Sequence, residues 1–292
     1  MTETLSVLRK QIETASDLYS VVTTMKVLAS VNIRHCSHAV DALSLYLKTI
    51  EMGLQIALAN RPDLQIVTTP ESQNAIVILI GADKGLVGQF NERIVEYMSA
   101  QLGHPRDVKY IIYAVGARLA PALHNYGYMA ETVRSIPGSI SRITPAARDI
   151  VLSIDSWRQQ HRVDRLMIFF NQSIGRATYT PQRINLLPLD PTWLNDLRQR
   201  HWDSASRPIT RISISELFGQ LTQQHLFATI YGSLAHSLAS ENASRLRIME
   251  NAEKNIEQRL YNLKHRYHTR RQDTITEELF DVISGFELLR DT

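Results

Sequence analysis

Apolar residues at the start of the chain recur every three or four positions. Leu5, Leu8, Ile12, Ala15, Tyr19 and Val22 form one run; Ala29, Ile33, Cys36, Val40, Leu43, Leu47, Ile50, Leu54 and Ala57 continue it. Alternating steps of three and four average 3.5, the period of a left-handed coiled coil. The one break is Lys26, a charge at a seam position with Met25 beside it. No glycine precedes Gly53 and no proline precedes Pro62. Residues 5–57 therefore read as one helix, about 80 Å long at roughly 1.5 Å per residue.

The end of the chain repeats the pattern at greater length. Pro208 is the last proline, and Ser213, Ile214, Ser215 and Glu216 have the form of a capping box. Three apolar stripes follow: Leu217 with Leu221, Ala228, Tyr231, Ala235 and Leu238; Met249 with Ala252, Ile256, Leu260, Leu263 and Tyr267; and Ile275 with Leu279, Val282, Phe286 and Leu289. The spacing predicts a helix over 209–289, on the order of 110 Å. Gly219, Gly232 and Gly285 each cost about 1 kcal/mol in a helix interior, so local bends are expected there. One long helix leads into the middle of the chain and the other leads out, so side-by-side pairing is antiparallel. The second outruns the first and leaves an apolar stripe with no partner in the chain, the usual mark of a binding surface. The competing reading is a bundle of several shorter helices.

Between the ends the period changes to that of strands. Residues 75–80 are a continuous β-branched apolar run, as in a buried parallel strand. Further strands are expected at 108–115, 166–171 and 183–189, and helices at 90–102, 117–126 and 143–160. This alternation predicts a doubly wound, Rossmann-like α/β domain with right-handed crossovers. The expected fold class is thus α/β plus a long coiled coil: an N-terminal shaft helix (1–58), a central α/β domain (70–208) and a C-terminal shaft helix (209–292). Residues 61–72, with Pro62 and Pro70, read as a linker. Trp193 and Trp202 are expected to pack the body against the base of the last helix.

Composition narrows the chemistry. Of 292 residues, 44% are hydrophobic and 21% charged, with net charge +3, which is globular and only mildly basic. That gives no case for nucleic acid, which needs a concentrated basic patch. The densest such run, 264–271, keeps Tyr267 in the apolar stripe and reads as the outer face of a coil suited to an acidic protein surface. A single cysteine, Cys36, excludes an internal disulfide and reads as a small seam residue in a reducing compartment. The first residues lack the form of a signal peptide, and no apolar run approaches about 18 residues, so no membrane crossing is expected.

Catalytic motifs are missing. The turn at 81–88 follows a strand and precedes a helix, yet it has neither G-x-G-x-x-G nor G-x-x-x-x-G-K-[ST]. Asp83 and Lys84 there are expected to cap the turn and the helix start. His35 with His38, and His265 with His268, lie at i, i+3 without further ligands at matching spacing. Neither cofactor, metal nor catalytic residue is expected.

Four stretches resemble one family in its own order along the chain. Thr23, Thr24, Met25, Lys26, Val27, Leu28, Ala29 and Ser30 resemble T-K-A-M-x-M-V-A-A. Gly81, Ala82, Asp83, Lys84, Gly85, Leu86, Val87, Gly88, Gln89, Phe90 and Asn91 resemble S-D-R-G-L-C-G-x-x-N. Ser240, Glu241, Asn242, Ala243, Ser244, Arg245, Leu246, Arg247, Ile248 and Met249 resemble S-E-x-A-A-R-M-x-A-M. Arg271, Gln272, Asp273, Thr274, Ile275, Thr276, Glu277, Glu278 and Leu279 resemble R-Q-A-x-I-T-x-E-L. The family is the gamma subunit of F-type rotary ATP synthases. Departures mark a divergent member: the basic cluster after Ser30 is thinned, Val87 stands where cysteine is frequent, and Phe286, Glu287 and Leu288 follow Gly285.

The resemblance implies a non-catalytic central rotor, coupling ion flow through the membrane sector to ATP synthesis or hydrolysis. Implied partners are the alpha and beta subunits of the catalytic ring, the epsilon subunit and the membrane ring of c subunits. The implied location is the cytoplasmic face of the cell membrane, peripherally, within the complex. Met25 and Lys26 are implied coupling positions against the beta subunit. Arg245, Arg271, Gln272, Thr276 and Glu278 are implied polar contacts to its moving loops; for each, a solvated helix position is the alternative. Arg245→Ala or Gln272→Ala is expected to lower turnover or pumping while sparing the chain's own folding. The rivals are an α/β scaffold or adaptor whose coiled-coil arm binds partner helices, and a small α/β enzyme, which the missing motifs disfavour.

Overall fold

The computed structural model describes residues 4–60, 74–102, 109–163, 165–174, 178–202, 206 and 208–290, with side chains as far as 283. The linker expected at 61–72, and the side chains of Phe286 and Leu289, lie outside the described residues. Two long helices, α1 (Leu5–Ala59) and α6 (Ile214–Arg290), enclose five strands and four shorter helices in sequence. The chain divides into two compact units, Met1–Leu28 with Leu246–Thr292, and Ala29–Arg245.

The first unit is a helix pair. Leu8, Ile12 and Ala15 of α1 pack with Leu260, Leu263 and Tyr267 of α6 in one apolar cluster. The paired numbers run in opposite senses, so the helices are antiparallel, as their periodicity required. Only one row of the seam is fully covered: Leu8, Ala15 and Val22, at intervals of seven, are buried, whereas Ile12 and Tyr19 in the alternate row are half-buried. Two helices offer each other one face, and the second row keeps an edge to water.

In the second unit, Ala29–Arg245, the same seven-residue row continues through Ala29, Cys36, Leu43, Ile50 and Ala57. Here the neighbours include a sheet. Strands β1 (Asn74–Ile80), β2 (Lys109–Val115), β3 (Ala130–Arg134), β4 (Arg165–Ile174) and β5 (Thr178–Leu187) form one sheet in the order β3-β2-β1-β4-β5. The pairings β1–β2, β1–β4 and β2–β3 are parallel, and β5 runs antiparallel to β4. The doubly wound core matches the strand–helix alternation, with an antiparallel edge added.

Both faces are covered, which is why β1 reads as a continuous apolar run. Ile76, Ile78 and Ile80 belong to a cluster with α4 (Ile143–His161) and with Leu226, Ile230, Leu234 and Leu238 of α6. Ala75, Val77 and Leu79 face a second cluster with α2 (Phe90–Leu102) and α3 (Leu119–Asn125). Cys36 sits in the first cluster, 1% exposed, and burial pushes its thiol up to about 11.

Three elements differ from expectation. Strand β3 is new; its sequence, Ala-Glu-Thr-Val-Arg, is half exposed at the sheet edge and so carries no apolar run. Strand β5 begins at Thr178 rather than 183, passing through Pro181, which an edge strand tolerates. Helix α5 (Pro191–Gln199) falls where a connecting segment was expected; the Asp190 carboxylate accepts from the Thr192 amide at 2.9 Å, and Pro191 supplies the first turn. Trp193 packs with the cluster of Leu54, Leu58 and Ala228, as expected, while the Trp202 indole donates to the Ser206 carbonyl at 3.0 Å.

Nor does α6 break at its glycines. It begins at Ile214, where the Ser213 hydroxyl accepts from the Glu216 amide at 3.3 Å, and runs unbroken to Arg290. A Cβ at position 232 would lie 2.9 Å from the Leu43 side chain. Gly232 is therefore a place of close helix approach, and not a hinge.

Candidate interaction surface

Polar groups replace apolar ones where the seam of the first unit breaks. Lys26 and Glu253 form a salt bridge and hydrogen bond, and the same carboxylate accepts from the Thr23 hydroxyl at 3.2 Å. One turn earlier on α1, the Tyr19 hydroxyl donates to Glu257 at 3.0 Å. These contacts hold the Lys26 ammonium charged to higher pH than usual and the Glu253 carboxyl below its usual range, in each case chiefly through their mutual hydrogen bond. The Glu257 hydrogen bond, with that carboxylate's charge, likewise raises the Tyr19 phenol. A charged pair on a seam costs stability but fixes which residues lie opposite each other.

Beyond the reach of α1, the apolar stripe of α6 continues without a partner. Ile275, Leu279, Phe280, Val282 and Ile283 are 45–64% exposed. A second exposed apolar face lies on α1, with Leu18, Val21, Val27 and Leu28, and Val7, Thr14 and Leu18 line a groove of about 680 Å³ with Ile256 and Arg259. The unpartnered stripe expected from the sequence is therefore present, and it occupies a continuous helix.

The seven sequence-selected positions divide between settings. Arg271, Gln272, Thr276 and Glu278 are exposed on α6, beside the apolar stripe. Met25 and Lys26 are half-buried on α1, at the level of Glu253 and several turns away from Arg271. Arg245 is set apart from both groups. It lies in the second unit, 9% exposed, donating to Glu241 at 2.6 Å and to the Asn242 side chain at 3.2 Å.

Arg245 belongs to a constellation that sequence spacing alone did not connect. In a doubly wound sheet the natural ligand crevice lies at the carboxyl ends of the strands, where the winding reverses. Here that place lies between β1 and β4, and α6 fills it. The Ser240 hydroxyl donates to the Asn171 carbonyl in β4 at 2.9 Å, and the Ser244 hydroxyl to the Val87 carbonyl in the turn after β1 at 2.7 Å. The turn itself is held from within. Asn91 Oδ1 accepts from the Ala82 amide at 2.8 Å, and Leu86 and Gly88 take left-handed conformations. Asp83 accepts from the amides of Ala117 (2.6 Å) and Ile136 (3.1 Å), tying the turn to the neighbouring strand exits rather than to the start of α2. Gly81 and Gly116 meet back to back, since a Cβ on Gly116 would lie 2.9 Å from the Gly81 backbone.

Burial pushes the Glu241 carboxyl above the usual range, against the Arg245 hydrogen bond and charge, which act to lower it. Its second oxygen is buried with no hydrogen-bond partner. Among the described residues, no three metal-ligating side chains converge, and no helix is long and apolar enough to cross a membrane.

An antiparallel helix pair with an uncovered apolar stripe, and a doubly wound sheet whose crevice holds the chain's own helix, define a protein that acts through surfaces. Known proteins share that plan. A rotor chain of the Euglena gracilis mitochondrial ATP synthase superposes with a TM-score of 0.61 at 16% identity, over 93% of this chain and 98% of that one. A central-stalk chain of the Tetrahymena thermophila mitochondrial enzyme gives 0.53 at 19% identity, over 80% and 99%. Among curated sequences, the ATP synthase gamma chain of Alkaliphilus metalliredigens is 22% identical over 97% of this chain and 98% of its own length. That of Gluconobacter oxydans is 26% identical over 97% and 98%. The family model described as ATP synthase matches residues 4–289, so the chain belongs to the ATP synthase family.

Proposed function

We propose that the chain is the central rotor subunit, of gamma type, in an F-type ATP synthase or ATPase. It is non-catalytic: it couples ion flow through the membrane sector to ATP synthesis or hydrolysis on the beta subunits by rotation. The observation that carries this reading is the uncovered apolar stripe of α6 at Ile275, Leu279 and Val282, on a helix that outlasts its partner, in a chain matched by the family along its length. Such a stripe calls for a surrounding sleeve. The Euglena structures are titled as a rotor and as an assembly of OSCP, F1 and c-ring, and by that analogy the sleeve is the ring of alpha and beta subunits. The epsilon subunit and the c-ring would meet the chain elsewhere, and the complex would sit on the cytoplasmic face of the cell membrane.

A helix pair is not three-fold symmetric, so each rotational position presents a different surface to three equivalent subunits. Differential contact of that kind is how one partner shifts another between states. In this reading Arg271, Gln272, Thr276 and Glu278 reach the beta loops directly. Met25, Lys26 and Arg245 act at the same coupling surface from positions already shared with an intramolecular partner.

The test is Ile275→Asp/Leu279→Asp co-expressed with the other subunits. Folding of the chain should be unchanged, because both sites are exposed, while assembly with the alpha–beta ring or its coupled pumping is lost. Wild-type assembly and pumping in this variant would sink the rotor reading. Gln272→Ala should retain assembly and lower ATP-driven pumping.

A further inference from the structure

We propose that the hydroxyl pair Ser240 and Ser244 is the rotational lock between α6 and the α/β body, so that torque enters the last helix through these two bonds. The proposal rests on the rotor reading and adds to it the place where helix and sheet are prevented from slipping.

The rest of the contact is of a kind that resists separation but not rotation. From Leu226 to Ala239, α6 meets the sheet through Leu226, Ile230, Leu234, Ala235, Leu238 and Ala239, all in one apolar cluster. Hydrophobic contact is non-directional and depends on the area covered. A helix turning a little about its own axis can exchange one such contact for another.

Hydrogen bonds behave differently, because they weaken steeply as the donor angle departs from linear. Ser240 and Ser244 lie at i, i+4, one above the other on a single stripe of α6. Each donates to a main-chain carbonyl, Asn171 in β4 and Val87 in the turn after β1. Both acceptors are immobile. Asn171 is inside a paired strand, and the Val87 turn is fixed by Asn91, by Asp83 and by the left-handed Leu86 and Gly88.

Two anchor points one helical turn apart define both the rotation and the axial position of α6. Glu241 and Arg245, the next residues along, pair with each other in the same buried region. Their charges therefore stay satisfied without a bond to the sheet, and the directional link to the body rests on the two serines.

Ser240→Ala/Ser244→Ala in the assembled complex tests this. ATP hydrolysis should stay near that of the unmodified complex, while ions pumped per ATP fall by at least about twofold. In the full-length chain, amide exchange over 236–246 and 82–88 should speed up on the order of tenfold, with other core amides unchanged. Ser244→Thr, which keeps the hydroxyl at a half-exposed site, should retain the unmodified pumping ratio. An unchanged ratio together with unchanged exchange in the double alanine variant would overturn the proposal. So would a Ser244→Thr chain as poorly coupled as Ser244→Ala. If the double variant does not fold, Ser244→Ala alone takes its place with the same readouts. Should the unmodified chain join no ATPase complex, the rotor reading fails, and the exchange measurement alone decides whether the hydroxyls hold the helix.

Discussion

Helix α6 lives in two environments, and they use its surface in opposite ways. Between Leu226 and Arg245, in the α/β unit, nearly every turn has several buried residues, many of them small: Ala228, Ser233, Ala235, Ser237, Ala239 and Ala243. From Leu246 onward, in the helix-pair unit, Met249 and Leu263 are buried and most other described positions are half or fully exposed. The difference is one of neighbours, since both stretches carry the same apolar spacing. A helix against a sheet and another helix needs small residues for close approach. A helix with one partner needs a single row of large ones. Periodicity reports which face is apolar; side-chain size reports how many neighbours that face has.

The comparison can be broken most decisively in the α/β unit. Leu54 is fully buried there, and Leu54→Ala should cost about 2–5 kcal/mol of global stability in denaturant unfolding. Leu8→Ala, equally buried but in the helix pair, should instead show as fraying of α1 with little change in the main transition. Equal losses in the main transition would mean that the two units unfold as one.

Arg245→Ala comes next. Removing one partner of a buried pair strands the other charge, and a loss of about 3 kcal/mol is expected in thermal unfolding. The sequence-based expectation that this change spares folding is therefore revised for Arg245, and it stands for exposed Gln272.

Cys36 gives a smaller, sharper signal. Its folded-state pKa lies above the unfolded value, so the folded chain keeps the proton longer. The resulting stability is present below about pH 9 and is lost as pH rises toward about 11. Alkylation by a maleimide at neutral pH should be slow in the native chain and fast in denaturant. Fast native alkylation would place Cys36 at a site that opens readily.

Smallest of all is Lys26→Met. It exchanges an exposed-edge ion pair for an apolar seam residue, and the melting temperature should hardly move. A change in the partner of Tyr19, read by its fluorescence or proton resonance, would show that the pair fixes register rather than stability.

Much of this was legible in the residues. The heptad row from Leu8 to Ala57, the Ser213 cap and the apolar strand at 75–80 each rest on a local pattern with a local cause. Strand β3 escaped because an edge strand needs no apolar run, and α5 because Asp190-Pro191 was passed over as a helix start. The meeting of Ser244 with Val87 joins positions 157 apart, and no spacing rule reaches that far. Composition likewise hid the pairing of Lys26 with Glu253, although a lone charge on a seam asks for an opposite one across it.

The filled crevice also has a bearing on how the chain is made. Strands β1 and β4 emerge from the ribosome well before Leu226–Arg245, which must cover one face of the sheet and close its carboxyl end. Until that late helix arrives, an oily surface and the backbone oxygens of Val87 and Asn171 stand open to the cytosol's other chains. Synthesis halted near residue 220 should therefore yield a sticky half-product that clings to chaperones, released only when the final helix is threaded into place.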